Sequence, residues 1–467
     1  MRNFVAAAAI AAGAFAAPAF AQEPGWTDAS AVEKSLDAAA APSSREIQSS
    51  VDSYLASAKA DASLVGGCGS AGYDAGFWIR GGSFLMKINL TLQTRWEGFD
   101  WDDSSLEPSP GGDLSGFSLP RVTLKFSGDA TCDIHYYAEL EFGHSGSYFD
   151  NATGRSSFQG QLFLSQNQTG AVPPDLGITR EAWIEYEAAP QFMFRMGLIK
   201  LAATRQLMTP PEMQQFVDIS MASAYIGQWD IGYTDRNRDY GFMVHGALGC
   251  DGEWQYMFTV TNGDGPVRRN VLDGTTDDPM AYSARINWDI KGHMGYEEGA
   301  VRQRSCDLTM ALGVWGNYFV DHRQENSLIQ FSDRTSYGVD LAVGYGGFSF
   351  TGAYNIVTYD NGGAFPEFDG TSYLAQLGYL FSDTAWEIAA RYSAYTHEPV
   401  GGFDTGGTEY GFAVNYYIDG HADKITADIA FISAEDNGNL LSDTYAGYNA
   451  TRASDGTLLR LQWQLAL

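Results

Sequence analysis

Charged or polar side chains occupy every second position in several segments of this 467-residue chain. Lys87 and Arg95 share one parity, as do Arg121 and Lys125, and polar residues fill most of the positions between them. Successive side chains of a β-strand point to opposite faces, so residues two apart line the same face. Such rows of charge act on ions or polar solutes through their electric field. They contain no arrangement for bond chemistry, and the seven histidines lie outside any recognisable nucleophile motif.

The opposite faces of these segments are apolar. Met86, Ile88 and Leu90 alternate with the polar residues of the first segment, and residues 457–467 end the chain with the same period of two. Repeated segments of about ten residues with this alternation are typical of transmembrane β-barrels. Sixteen strands are predicted, starting near Met86, Leu119, Ile134, Ile178, Gln191, Asp239, Glu253, Met280, Asp307, Thr335, Phe348, Thr371, Ala385, Thr408, Lys424 and Thr457.

The connections between these strands alternate between long and short. Short links such as Gly346-Gly347 contrast with long ones such as residues 201–238. The link from Lys291 to Ser305 is an exception, since it is long where the alternation predicts a short turn. Outer-membrane barrels have short periplasmic turns and long external loops, whereas a soluble sandwich has no reason to sort its loops in this way. The sequence therefore predicts an all-β fold, a 16-stranded antiparallel transmembrane barrel with long external loops.

The N-terminus predicts export. Arg2 precedes an apolar run that ends in Ala19-Phe20-Ala21, which is typical of a signal peptide over residues 1–21. Residues 22–74 form a separate periplasmic segment with a helical pattern in its second half, either a flexible or single-helix segment or a short coiled coil. Residues 75–467 form the barrel domain, which places the protein in the outer membrane of a Gram-negative-type bacterium.

The composition limits the partners. The chain carries 57 acidic against 28 basic residues, a net charge of -29, which argues against nucleic acid. Acidic external loops near lipopolysaccharide could hold divalent cations between carboxylates, and no other cofactor or metal site is predicted. The content of 26 Tyr, 27 Phe and 11 Trp suits β structure with aromatic girdles at the two faces of a lipid bilayer.

The four cysteines fall on one side of the predicted topology. Cys132, Cys250 and Cys306 lie in or just after short turns, and Cys68 lies just before the first strand. They are disulfide candidates because the periplasm is oxidising. Four cysteines allow three pairings, of which chain order favours Cys68–Cys132 and Cys250–Cys306, and the alternative is four unpaired thiols.

The order of several segments resembles the phosphate-selective porin O and P family. They are residues 117–128, Arg180-Glu-Ala-Trp-Ile-Glu-Tyr186, residues 193–200 with Gly197-Leu-Ile-Lys200, residues 238–246 and residues 258–265. The resemblance covers approximately residues 75–467. It implies a homotrimer of sixteen-stranded barrels, a third loop folded into each pore as a constriction, and passive diffusion of small polar or ionic solutes. The chain departs from the family by ending on Leu467 rather than Phe, and by its acidity.

Strand parity and the third loop, residues 201–237, assign the side chains of the expected pore. The basic set is Lys87, Arg95, Arg121, Lys125, Arg195, Arg205 and Arg460. The acidic set is Glu139, Glu141, Glu185, Glu212 and Asp218. We expect either a transverse field that orients polar solutes across the constriction, or lumen charges that are merely solvated. The expected function is a porin, with a phosphate- or anion-selective channel and an outer-membrane adhesin or structural barrel as the alternatives.

Overall fold

The computed structural model describes residues 69–73, 76–101, 114–142, 149–150, 155–156, 178–230, 237–263, 280–299, 307–320, 333–360, 368–382, 384–397, 405–434 and 456–467. The signal peptide and the helical pattern predicted after it lie outside these residues. The chain divides into two units, one of residues 1–71 and 79–82 and the other of residues 72–78 and 83–467. Short strands at Gly69–Tyr73 and Phe77–Gly81 come before the barrel strands in the sequence.

The second unit is a closed antiparallel β-barrel of sixteen strands, as the sequence predicts. Neighbours along the chain pair in order, and the last strand pairs with the first, for example Arg460 with Glu97. Closure satisfies every strand edge, which lipid requires. The strands are β1 Phe84–Trp101, β2 Leu114–Thr131, β3 Ile134–Glu141, β4 Ile178–Ala189, β5 Phe192–Lys200, β6 Arg238–Leu248, β7 Trp254–Thr261, β8 Met280–Lys291, β9 Thr309–Val320, β10 Asp333–Tyr345, β11 Phe348–Asp360, β12 Phe368–Leu380, β13 Trp386–His397, β14 Thr405–Asp419, β15 Asp423–Ala434 and β16 Gly456–Ala466.

Alternation along the strands separates the lumen from the lipid side. In β8, Arg285 is 1% exposed inside the barrel, while the next residue, Ile286, is 52% exposed on its outer surface. A two-residue turn joins β10 to β11, where Tyr345 pairs with Phe348. Gly346 and Gly347 both have positive φ (55° and 87°), as the tight hairpin turns of this type require.

Aromatic side chains lie on the outer surface close to the short turns. Trp254 stacks on Trp288 with 4.8 Å between ring centroids, and Trp386 packs against Tyr416 at 4.7 Å. Amphipathic rings at this level are typical of the aromatic girdles of outer-membrane barrels. Among the described residues, none of the helices has the length and apolar character needed to cross a membrane.

Two connections turn inward rather than away from the barrel. Loop 3, residues 201–237, contains helix α1 (Arg205–Met208), a 3₁₀ turn at Pro211–Met213 and helix α2 (Met221–Asp230). Its residues from 201 to 227 are mostly buried inside the barrel. The second connection is the exceptionally long link between β8 and β9. Its first part, residues 292–299, also contacts lumen residues. The core of this molecule therefore lies in the lumen, where these two segments meet the inner faces of the strands.

Candidate functional site

Loop 3 leaves and re-enters the barrel at adjacent strands. The Leu201 N–H donates to the Asn237 carbonyl oxygen at 2.7 Å, and the Asn237 side-chain amide donates back to Leu201 at 3.2 Å. Asn237 has a positive φ of 75°, a conformation that asparagine tolerates better than most residues. Lys200, the last residue of β5, donates to the Met208 carbonyl oxygen at 3.1 Å. These contacts close the neck of loop 3 and direct the rest of it into the lumen.

A buried ion pair holds the start of loop 3. Arg285 of β8 and Asp340 of β10 form a two-pronged pair at 2.7 and 2.8 Å. Asp340 also accepts the Arg205 N–H at 3.0 Å, and Arg285 donates to the Ala203 carbonyl oxygen at 2.8 Å. Gly313 of β9 leaves room for the pair, because an added Cβ there would lie 2.1 Å from the guanidinium. The two side chains therefore bind backbone groups of the loop as well as each other.

Helix α2 is held by apolar contacts. Tyr225 and Ile226 are fully buried in a cluster with inward-facing residues of the barrel, including Val357 of β11 and Leu458 of β16. Tyr225 also stacks on Tyr395 of β13 at 4.9 Å between ring centroids. Burying a large apolar side chain contributes about 1.5–3 kcal/mol of stability, so several such residues together hold this helix against the barrel wall. One side of the lumen is consequently filled by protein rather than by water.

The acidic residues of loop 3 contact the basic residues of β1 and β2 directly. Asp218 lies 3.5 Å from Arg95 and 3.4 Å from Arg121. Glu212 pairs with Lys125. Burial raises the pKa of Glu212, but the Lys125 ammonium and its hydrogen bond outweigh burial and hold this pKa below its usual range. The sequence leaves open whether these charges act across the constriction or are merely solvated, and in the structure they lie in direct contact.

The central part of loop 3 is also anchored to β13 and β15. Arg391 donates to the Asp218 carbonyl oxygen at 2.9 Å, and its guanidinium lies 4.2 Å from the Phe216 ring centroid. Asp428 accepts the Val217 N–H at 3.0 Å. With the contacts above, anchors of loop 3 are spread over β8, β10, β11, β13, β15, β16, β1 and β2.

Strands β3–β6 carry a separate set of ion pairs. Arg195 binds Glu185 at 2.7 Å, and His245 contacts the same carboxylate at 2.6 Å. Arg238 lies 3.1 Å from Glu181. The guanidinium of Arg195 also lies 3.7 Å from the centre of the Trp183 ring, which faces the lumen beside it. This wall therefore combines both signs of charge at short distances.

Water reaches the two sides of the lumen unequally. We call β2–β6 the open wall, where the side chains of Arg195, His245 and Lys125 are 19%, 17% and 17% exposed. We call β8–β16 the packed wall, where three ion pairs have side chains at most 1% exposed: Arg285–Asp340, Arg391–Glu409 and Arg460–Asp428. Because loop 3 covers the packed wall, the accessible charges of the constriction lie on the open wall.

The structure places the sequence-assigned residues in three groups. Lys125, Arg195 and Glu185 lie on the open wall, together with the more deeply buried Glu139 and Glu141. The second group is buried in or beneath loop 3 and comprises Arg95, Arg121, Arg205, Arg460 and Asp218. Glu212 also lies in loop 3, but 14% of its side chain stays exposed. Lys87 stands apart near the short-turn end of β1, half-buried and without an ion pair among the described residues.

Cys132 and Cys250 lie exposed at the short-turn end, and within the described residues they are not paired with each other. Their expected partners, Cys68 and Cys306, lie outside the described residues, so both disulfides remain predictions. The long acidic loops expected to hold divalent cations also lie mostly outside the described residues. That expectation likewise remains a prediction.

Sequence parity missed Arg180. A β-bulge between β3 and β4 places both Arg180 and Glu181 opposite a single position, and Arg180 turns inward to lie 3.4 Å from Glu139 and from Glu141. A bulge inserts one extra residue and so breaks strict alternation, which is the signal that parity relies on.

Glu298 was missed for a different reason, since it lies on the short-turn side, where no residue was expected to enter the lumen. The unusual length of that link was the available signal.

Comparisons with known proteins agree with this architecture. Residues 93–466 match the family described as Phosphate-selective porin O and P. Among solved structures, the anion-selective porin from Comamonas acidovorans is similar at a TM-score of 0.52 and 10% identity, covering 82% of this chain and 99% of that one. OmpF of Salmonella typhi in complex with daunomycin is similar at a TM-score of 0.52 and 9% identity, covering 85% of this chain and 100% of that one.

The in-vitro folded OmpT of Vibrio cholerae gives a TM-score of 0.51 and 10% identity, covering 83% of this chain and 99% of that one. At these identities the solved structures support the fold alone. A comparison with curated protein sequences finds no match. The family match spans most of the chain and coincides with the closed barrel and its inward third loop. The chain therefore belongs to the phosphate-selective porin O and P family and is a channel of the Gram-negative outer membrane.

Proposed function

We propose that small hydrophilic solutes diffuse passively through this porin along the open wall, between strands β2–β6 and the side of loop 3 that carries Glu212. The difference in exposure between the two walls carries this proposal. Charged side chains keep up to 19% exposure on the open wall, whereas the three ion pairs named above for the packed wall are at most 1% exposed. A pore selects solutes by its width and by the charges that line it.

The charges of this path favour weak selectivity. The basic residues of the open wall are paired with carboxylates: Lys125 with Glu212, Arg195 with Glu185, Arg238 with Glu181, and Arg180 with Glu139 and Glu141. A phosphate ion would have to displace a carboxylate that is already held close by. Tight anion sites need donors that are not already committed, so this wall suits transient passage of polar solutes and both signs of ion.

An anion-selective channel is the second candidate, and Lys87 is the observation that favours it. This side chain faces the lumen near the short-turn end of β1 and makes no ion pair among the described residues. The description of the family points in the same direction. A single uncompensated cation attracts anions weakly in water, by about 1 kcal/mol at 4 Å, so it tilts selectivity rather than creating a phosphate site.

We also propose a homotrimer embedded in outer-membrane lipid and lipopolysaccharide. The trimer form recorded for OmpT of Vibrio cholerae supports the assembly by fold similarity. Exposed apolar side chains such as Met196 and Ile184 on the outer surface suit contact with lipid. Membership of the porin family supports a channel over an enzyme or an adhesin.

The test is the reversal potential of the purified, refolded protein in a planar bilayer under a potassium chloride gradient, before and after phosphate is added. The proposal predicts measurable conductance, a small reversal potential and no block by phosphate. A strongly anion-selective potential with block at low phosphate concentration would support the second candidate instead. An absence of conductance from correctly folded protein would favour an adhesin or structural barrel.

A further inference from the structure

Residues 292–299 enter the barrel from the opposite end to loop 3. They follow β8, which ends at the side of the short turns, and we call them the inturned segment. Its carbonyl groups at Met294 and Gly295 both accept hydrogen bonds from Arg205, which is 2% exposed. The Tyr296 hydroxyl accepts from Arg285 at 2.8 Å. The segment thus reaches the same anchor that holds the start of loop 3.

Glu298 makes the densest set of contacts in the inturned segment, and it is only 3% exposed. Its carboxylate accepts from the Gln206 side chain at 2.8 Å, from the Gln215 N–H at 3.0 Å and from the Gln376 side chain at 2.9 Å. Its own N–H donates to the Met213 carbonyl oxygen at 2.9 Å. One residue therefore joins three separate points of loop 3 to the barrel wall.

The inturned segment is also fixed to the barrel on its far side. His421, in the turn between β14 and β15, lies 3.0 Å from the Glu298 carbonyl oxygen and 3.4 Å from the Glu297 carboxylate. The other ring nitrogen of His421 lies 3.2 Å from Lys424, which in turn donates to the Gln214 carbonyl oxygen of loop 3. The contacts form a continuous bridge from the periplasmic side of the wall to the middle of loop 3.

The part of loop 3 that this bridge holds has little structure of its own. Between helices α1 and α2 it contains only the 3₁₀ turn at Pro211–Met213, so most of its backbone polar groups need partners elsewhere. Buried polar groups that lose their partners are costly, and a segment without them moves or unfolds locally. Glu298 supplies partners where the loop cannot supply its own.

We infer that the inturned segment is a second constriction element, which locks the middle of loop 3 from the periplasmic side through Glu298. This inference goes beyond the proposed path, because it concerns what keeps loop 3 in place rather than where solutes pass. Without the Glu298 carboxylate, residues 206–215 lose two of their hydrogen bonds, while the apolar cluster holds α2 in place. The pore then becomes wider and its current less steady.

The experiment compares single-channel currents of the full-length refolded protein with those of Glu298→Ala and Glu298→Gln. We expect a larger conductance and frequent brief transitions for Glu298→Ala, and a smaller change for Glu298→Gln, which keeps one oxygen acceptor. Hydrogen exchange should speed up in peptides that contain residues 206–215. Asp251→Ala is the matched control, since it removes an exposed carboxylate from another short turn at the same end.

Wild-type conductance and wild-type exchange in Glu298→Ala would overturn the inference, as would an equal effect of Asp251→Ala. Correct folding is checked by the shift in gel migration that barrels show on heating. If Glu298→Ala does not fold, Gln376→Leu serves instead, because it removes the wall amide that donates to both Glu298 and Gln215 and leaves the inturned segment intact. That variant should change conductance in the same direction, and an unchanged current would contradict the lock.

Discussion

Replacing Arg195 and Arg391 separately by glutamine tests the difference between the two walls. Both arginines point into the lumen, and both are paired with a glutamate. Arg195 is 19% exposed on the open wall, whereas Arg391 is fully covered beneath loop 3. The chemical change is therefore the same, and the access of a permeating ion differs. Arg391 also donates to the Asp218 carbonyl oxygen of loop 3, so its folding and loop position are checked as well. We expect a shift of selectivity toward cations for Arg195→Gln and none for Arg391→Gln.

The size of the shift follows from Coulomb's law. An ion that passes about 6 Å from the Arg195 guanidinium in water-like surroundings interacts with it by about 0.7 kcal/mol. Screening over a Debye length of about 10 Å in 0.1 M salt reduces this to about 0.4 kcal/mol. Cations and anions respond in opposite directions, so their ratio changes by about 0.8 kcal/mol, which is about fourfold in permeability.

The assay is the reversal potential of each variant under the same salt gradient, repeated at high salt. Screening predicts that the Arg195→Gln shift becomes smaller as salt concentration rises. Arg391→Gln leaves the Glu409 carboxylate with Ser393 and the Met221 N–H as remaining partners, so the heat-dependent gel shift confirms its folding first. Equal shifts in the two variants, or a larger shift for Arg391→Gln, would refute the assignment of the conducting path to the open wall.

Two further predictions concern the anchors of loop 3. Asp340→Ala leaves the buried Arg285 without its two-pronged partner, and breaking such a pair costs about 3–5 kcal/mol of stability. Protease cleavage of loop 3 should therefore increase. Unchanged cleavage would mean that the pair is not needed to hold the loop. The contact with Lys125 holds the pKa of Glu212 below its usual range, so the ionised pair stabilises loop 3 above the usual carboxyl pKa range. This stabilisation is lost as pH falls through the folded-state pKa. Current noise should therefore rise on acidification, and Glu212→Gln should be noisy already at neutral pH.

Much of the barrel could be predicted from the sequence because its physical causes are local. The predicted starts near Met280 and Phe348 coincide with the observed starts of β8 and β11. Alternation is imposed by the contrast between lipid and lumen at every strand, so each segment carries its own signal. The two glycines at 346 and 347 likewise mark a turn through their backbone freedom alone.

The interior of the lumen could be predicted only in part. Parity predicts that Arg95 and Arg121 point into the lumen, but it cannot show that Asp218 of loop 3 lies within 3.5 Å of both. That contact depends on how a loop of about forty residues folds back, which no local period encodes. The bulge at Arg180 and the inward course of residues 292–299 have the same origin. Both depend on pairings between segments that are distant in sequence.

Cysteine accessibility tests the location of the conducting path most directly. In a background whose native cysteines are replaced by serine, His245→Cys places a thiol on the open wall and Ser393→Cys places one on the packed wall. The His245 side chain is 17% exposed, whereas Ser393 is fully buried. A charged thiol reagent should reduce the current through His245→Cys and leave Ser393→Cys unchanged. Reduction at Ser393→Cys, or none at His245→Cys, would contradict the path proposed for this porin.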